Sequence, residues 1–126
     1  MQHYAKGVAY ATLTQFDEAE QERKSFHQQG MLISPERRFL SNLTRDSVAV
    51  SATLLDGELA YHQGRQDEAY RHLRLAVELN DSLAYTEPLA WMHPPRHASA
   101  ALLLDQGHLK EAEQIYRDDF GLGCRL

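Results

Sequence analysis

The chain has 126 residues, of which 43% are hydrophobic and 25% are charged, a composition typical of one globular unit. Its 13 Lys and Arg residues against 18 Asp and Glu residues give a formal net charge of −5, which argues against a protein that binds nucleic acid by neutralising its phosphates. One cysteine cannot form an internal disulfide bond, and no apolar run approaches the roughly 18 residues that a membrane-spanning helix needs. These features predict a soluble protein of the cytoplasm.

Three stretches of the sequence share a pattern of helix, tight turn and helix. In the second and third, a Gly stands five residues before an Ala, as Gly64 does before Ala69 and Gly107 before Ala112. Glycine suits the left-handed residue that ends a helix, because it has no Cβ atom. The pattern predicts antiparallel helical hairpins within one domain over 1–120, with a flexible tail over 121–126. The hairpins are expected at about 1–29, 46–80 and 94–120.

Two connectors separate these hairpins. The first contains Ser34 and Pro35, an N-cap residue followed by Pro at the first helical position, which predicts a short connector helix through Leu40. The second, over 80–93, is predicted to be irregular. No strand is predicted, because apolar and polar residues never alternate over more than a few positions. The predicted fold class is therefore all-α, a stack of helical hairpins with one connector helix.

The repeated residues resemble the tetratricopeptide repeat, a helical hairpin of about 34 residues with small and aromatic residues at fixed positions. The matching residues are Gly7, Tyr10, Phe16 and Ala19 in the first unit, Gly57, Gly64, Ala69, Leu73 and Ala76 in the second, and Gly107, Leu109, Ala112 and Tyr116 in the third. The units depart from the family in their wider spacing. Residues 85–107 are similar to a segment near the C-terminus of large, uncharacterised tetratricopeptide proteins of bacteria and fungi.

The resemblance implies a right-handed stack whose first helices line a concave groove that binds a peptide or a partner protein. The residues expected in the groove are Tyr4, Leu54, Glu58, Tyr61, His62, His97, Leu104 and Asp105. For Leu54 and Leu104, packing between helices is the alternative. The acidic groove predicts a neutral or basic partner.

The leading hypothesis is thus a non-catalytic interaction scaffold without a cofactor, acting alone or as a segment of a larger repeat protein. Because repeat units normally need a polar outer face at each end, self-association is a further way to cover a bare end.

A second hypothesis is a metal-binding or hydrolytic module built from Glu87, His93 and His97. Two histidines and a carboxylate are ligand types that suit zinc, although Pro94 and Pro95 keep the two histidines from sharing a regular helix. A third concerns the segment Cys124-Arg125-Leu126, which resembles relaxed forms of a peroxisomal address and offers the peroxisome as an alternative location.

Overall fold

The protein is described here by a computed structural model that places residues 1–86, 91 and 94–121. These residues are mainly helical, as the sequence predicts. Six helices and one two-stranded ladder occur among them, in the order α1 Gln2–Thr12, α2 Phe16–Met31, β1 Arg38–Phe39, β2 Asn42–Leu43, α3 Thr44–His62, α4 Gln66–Asp81, α5 Pro95–Asp105 and α6 Leu109–Asp119. None of the helices in these residues has the length and apolar character needed to cross a membrane.

The helices pair in sequence as hairpin 1 (α1 and α2), hairpin 2 (α3 and α4) and hairpin 3 (α5 and α6). Gly64 and Gly107 both have a φ of +80°, which confirms the prediction that each ends a helix in the left-handed conformation. Thr14 takes the equivalent position in hairpin 1 with a φ of 61°. In all three turns the next residue donates its backbone N–H to the carbonyl five residues earlier, at 2.9 Å. This repeated cap sets the same reversal in each hairpin.

Equivalent positions in the three hairpins follow from these caps. Thr14 and Gly64 are 50 residues apart, and Gly64 and Gly107 are 43 apart. The same offsets relate Ala19, Ala69 and Ala112, all three of which are completely buried. Small residues at these positions allow the two helices of a hairpin to approach closely.

Glycine has a similar role in hairpin 2. A Cβ atom on Gly57 would lie only 3.0 Å from the Cγ atom of Leu73, so the close contact between α3 and α4 requires glycine at this position.

The largest hydrophobic core lies between hairpins 1 and 2. It contains Tyr4 and Phe26 from hairpin 1, Leu54, Leu55, Leu73 and Ala76 from hairpin 2, and Trp91 from the second connector. Helix α3 packs against both α1 and α2, whereas hairpin 3 packs on hairpin 2 mainly through the contact of α5 with α4.

The first connector differs from its prediction. The expected helix over 34–40 is absent from the described chain, and β1 and β2 form an antiparallel ladder that pairs Arg38 with Leu43. Leu40 reverses the chain with a φ of 55°. The side chain of Asn42 donates to the Ala84 carbonyl at 2.9 Å and accepts from the Ala84 N–H at 2.8 Å. This long-range pair ties the two connectors together, and it was not visible in local sequence.

Candidate functional site

The residues predicted to line one concave groove are divided among several environments. Tyr4 is 4% exposed and Leu54 is completely buried, so both belong to the core instead of an open surface. Trp91 packs edge-on against Tyr4 with 5.0 Å between ring centroids. Trp91 therefore covers Tyr4, which corrects the prediction that Tyr4 is available to a partner, and the burial of Leu54 agrees with the alternative that it packs between helices.

Glu58 lies next to this covered region and accepts a hydrogen bond from the Tyr4 hydroxyl at 3.2 Å. Burial raises the pKa of the Glu58 carboxyl, and the Tyr4 hydrogen bond opposes that shift only partly. The pair joins hairpins 1 and 2. Glu58 is thus held by an internal contact, although the sequence placed it in a peptide-binding groove.

A second phenol–carboxylate pair joins hairpins 2 and 3. The Tyr61 hydroxyl donates to an Asp105 carboxylate oxygen at 2.5 Å and accepts from the side-chain amide of Gln106 at 2.8 Å. His62 stands beside Tyr61, with 5.5 Å between the rings. Burial lowers the pKa of His62, and the Asp105 charge opposes this shift. Tyr61, His62 and Asp105 are therefore brought together as predicted, but Tyr61 and Asp105 bind each other.

His97 belongs to hairpin 3 alone, where its Nε2 atom lies 2.8 Å from an Asp119 carboxylate oxygen. Glu87 and His93, its proposed metal-binding neighbours, lie outside the described residues, as does the segment Cys124-Arg125-Leu126 with most of the predicted tail. Within 1–86, 91 and 94–121, no group of three His, Cys, Asp or Glu side chains is arranged to hold a metal ion.

Leu104, the remaining predicted groove residue, lies on an exposed surface at the end of hairpin 3. We call this surface the end face, and it consists of Leu104, Leu109, Glu113, Tyr116, Arg117 and Phe120. Leu109 is 64% exposed and Phe120 is 74% exposed. The charged residues Glu113 and Arg117 pair with each other, with 2.7 Å between the closest nitrogen and oxygen atoms. The surface is thus apolar, and its two charges are already neutralised.

The end face has an equivalent in hairpin 1. The equivalent residues of hairpin 1 precede those of the end face by both offsets together, 50 and 43 positions. They are Ala11, Phe16, Glu20, Arg23, Lys24 and His27. In hairpin 1 this surface packs against hairpin 2, because Ala11 and Phe16 contact Leu59 while Arg23 and His27 bind Asp56. The surface that joins hairpin 1 to its neighbour is therefore repeated, uncovered, at the end of the described stack. Sequence reasoning missed it, although the same offsets were available.

Two clefts also lie between successive hairpins, at equivalent positions. The charged cleft, between hairpins 1 and 2, has a volume of about 360 Å³ and is lined by Glu20, Arg23, Asp56, Leu59, Arg65, Glu68 and His72. The apolar cleft, between hairpins 2 and 3, measures about 540 Å³. The offsets relate Glu20 to Tyr70, Asp56 to Ser99 and His72 to Ile115. At these three positions an ionisable or charged side chain is replaced by an uncharged one, while Asp67, Arg74, His108 and Glu111 still line the second cleft.

No protein-family model, no curated protein and no solved structure matches this chain. The resemblance to tetratricopeptide repeats consequently stays a prediction made from the residues themselves.

Proposed function

We propose that this protein is a non-catalytic interaction scaffold of tetratricopeptide type that stacks on a second copy of itself through the end face. The observation that carries the proposal is the exposed apolar end face, whose equivalent in hairpin 1 already binds a helical hairpin. Contiguous exposed apolar surface of this kind marks interaction sites in proteins.

The outer surface of α1 supplies the complementary partner for the end face. Ala5 and Ala9 are exposed there, and they are equivalent to Leu55 and Leu59, with which α3 packs on hairpin 1. The contact within the chain and the proposed contact between copies place the large and the small residue on opposite sides. Leu59 contacts Ala11 inside the chain, whereas Ala9 of a second copy would meet Leu104, the equivalent of Ala11. The total volume of such a contact is similar, which well-packed interfaces require.

Stacking of this kind joins two different surfaces, so it does not close into a dimer. Light scattering of the purified chain should show an average mass that rises steadily with concentration. Leu104→Glu on the end face and Ala9→Glu on α1 should each return the protein to a monomer, because both place a charge in the contact.

Leu75→Glu is the matched control. Leu75 is 44% exposed, close to the 45% of Leu104, but it lies on α4 away from both surfaces. This variant should associate as the unmodified protein does. A monomer at every concentration, or equal loss of association in Leu75→Glu, would refute the proposed stacking.

A further inference from the structure

The apolar cleft contains a buried polar group without a partner. Tyr70 lines its floor together with Leu103 and Ile115, and the Tyr70 hydroxyl has no hydrogen-bond partner among the described residues. Burial, together with the charges of Glu111 and Asp105, raises the pKa of Tyr70, so the hydroxyl keeps its proton. A buried hydroxyl that makes no hydrogen bond destabilises the folded protein. A bound molecule that accepts a hydrogen bond from it would remove that penalty.

The charged side chains that line this cleft include Glu111, which lies 3.8 Å from His108, and two opposite charges on α4 that remain free. Asp67 and Arg74 both line the cleft, and neither forms an ion pair or a side-chain hydrogen bond within the described part of the chain. They lie seven residues apart on α4, which corresponds to about 10 Å along the helix axis at 1.5 Å per residue. Tyr70 lies between them. Along α4 the cleft thus presents an acidic group, one hydroxyl donor and a basic group, in that order.

We propose that the apolar cleft binds a short extended peptide segment of a partner protein, with a basic residue, an apolar residue and an acidic residue at alternate positions. In an extended chain, alternate side chains point to the same side and five residues span about 13 Å, comparable to the about 10 Å that separates Asp67 from Arg74 along α4. The apolar side chain enters the cleft over Leu103 and Ile115. The Tyr70 hydroxyl, buried in the unbound chain, becomes accessible by a shift of its side chain and donates a hydrogen bond to a backbone carbonyl of the peptide.

The size and charges of the cleft favour a peptide over a small metabolite. Its volume of about 540 Å³ can hold one large side chain with adjoining backbone. The two free charges are too far apart for the ammonium and carboxylate of a single amino acid. The charged cleft offers no such site, since Arg23 there already binds both Glu20 and Asp56.

The test uses the full chain labelled with nitrogen-15 and three acetylated, amidated pentapeptides, Lys-Ser-X-Ser-Glu, in which X is Leu, Phe or Met. At least one peptide should cause saturable shifts of amide signals from α4, α5 and α6. The peptide Lys-Ser-Ser-Ser-Glu lacks the apolar side chain and should cause none. No saturable shift with any of the three peptides, or shifts confined to the end face, would overturn the proposal.

Two variants locate the site. Tyr70→Phe removes only the hydroxyl and should weaken peptide binding roughly two- to tenfold, the effect of one hydrogen bond. His72→Ala is the matched control in the charged cleft, at the position equivalent to Ile115, and it should bind as the unmodified chain does. Equal affinity in Tyr70→Phe would contradict the proposal. So would α4 signals that shift with protein concentration in the Leu104→Glu chain without peptide, because a second copy would then occupy the cleft. Leu104→Glu should leave peptide binding intact, which separates this inference from the proposed stacking.

Discussion

The contact between hairpins 1 and 2 and the contact between hairpins 2 and 3 use equivalent positions but differ in chemistry. In the first contact Leu55 and Leu59 fill the space between helices, and Asp56 binds Arg23 and His27 at 3.1 and 2.9 Å. In the second contact Ser99 stands in the place of Asp56, and the cleft beside it stays open. Both contacts thus leave a cleft at the equivalent position, but the first cleft is smaller and lined by paired charges, whereas the second is larger and exposes more apolar surface.

If the apolar cleft binds a partner as proposed, successive hairpins of this chain separate stability from binding. Helices in equivalent positions keep the stack regular, while the side chains between them decide whether a space is filled, paired or left open. Filled or paired positions stabilise the chain. A cleft that exposes apolar surface can be buried by a partner.

Core truncation should give the largest contrast between the two contacts. Leu55 is completely buried and fills the first contact, so Leu55→Ala should lower the free energy of unfolding by about 3–5 kcal/mol. Leu103 borders the open cleft, and Leu103→Ala should lower it by only about 2 kcal/mol, because it enlarges an existing space. Urea unfolding followed by circular dichroism measures both. Equal losses would mean that the second contact is as tightly packed as the first.

The charged lining should give the next contrast. Asp56→Ala leaves Arg23 and His27 without their shared acceptor, and we expect a loss of about 1–2 kcal/mol, since the site is partly open to water. Ser99→Ala at the equivalent position should change the free energy of unfolding by less than about 0.5 kcal/mol. The same urea titrations apply. If Ser99→Ala proves as harmful as Asp56→Ala, charge pairing does not distinguish the two contacts.

The Tyr4–Glu58 pair should make the stability of the first contact depend on pH. Burial raises the folded-state pKa of Glu58 above its unfolded value of about 4.3. The folded state therefore binds more protons between the two pKa values, and the stability that Glu58 contributes falls as pH rises through that window. Glu58→Gln cannot ionise, so its advantage over the unmodified chain should grow with pH from about 4.3 upwards and then level off.

Tyr4→Phe sharpens the same test. Loss of the Tyr4 hydrogen bond should raise the Glu58 pKa further and extend the fall in stability to higher pH. Urea titrations at several pH values compare the three chains. A constant difference between Glu58→Gln and the unmodified chain would contradict the expected ionisation.

The turns provide the smallest contrast. Thr14 adopts a left-handed φ that strains a residue with a Cβ atom, so Thr14→Gly should stabilise hairpin 1 by about 0.5–1 kcal/mol. The converse change Gly64→Thr should destabilise hairpin 2 by about 1 kcal/mol, and thermal unfolding measures both. The prediction requires that the two variants change the thermal stability in opposite directions. Two losses would show that Thr14 makes a contact worth more than the strain.

Local sequence predicted the features that depend on neighbouring residues. The left-handed caps at Gly64 and Gly107 and the small residues between paired helices follow from backbone freedom and side-chain volume, and the structure confirms them. The first connector could not be predicted in this way. Its Ser34-Pro35 start is compatible with a helix, but Asn42 binds the backbone of Ala84, 42 residues later.

The predicted groove was incomplete for the same physical reason. Helical register identified residues on the first helices, but it carried no information on what covers them. Trp91 covers Tyr4, and Tyr4 in turn binds Glu58, so two expected contacts with a partner are made within the chain. The end face and the apolar cleft likewise depend on which of the equivalent positions are exposed, and exposure is set by the packing of the hairpins.

The sequence by itself determined three helical hairpins, the residues that cap them and the offsets that relate them, because helix periodicity and turn chemistry act over a few residues. Only the tertiary structure decided which equivalent surfaces are covered. Ala11 is buried, whereas its equivalent Leu104 is exposed. Glu20 forms an ion pair, whereas its equivalent Tyr70 has no hydrogen-bond partner among the described residues. These differences depend on residues far away in the chain. Burial is a property of the packed stack, and no local pattern contains it.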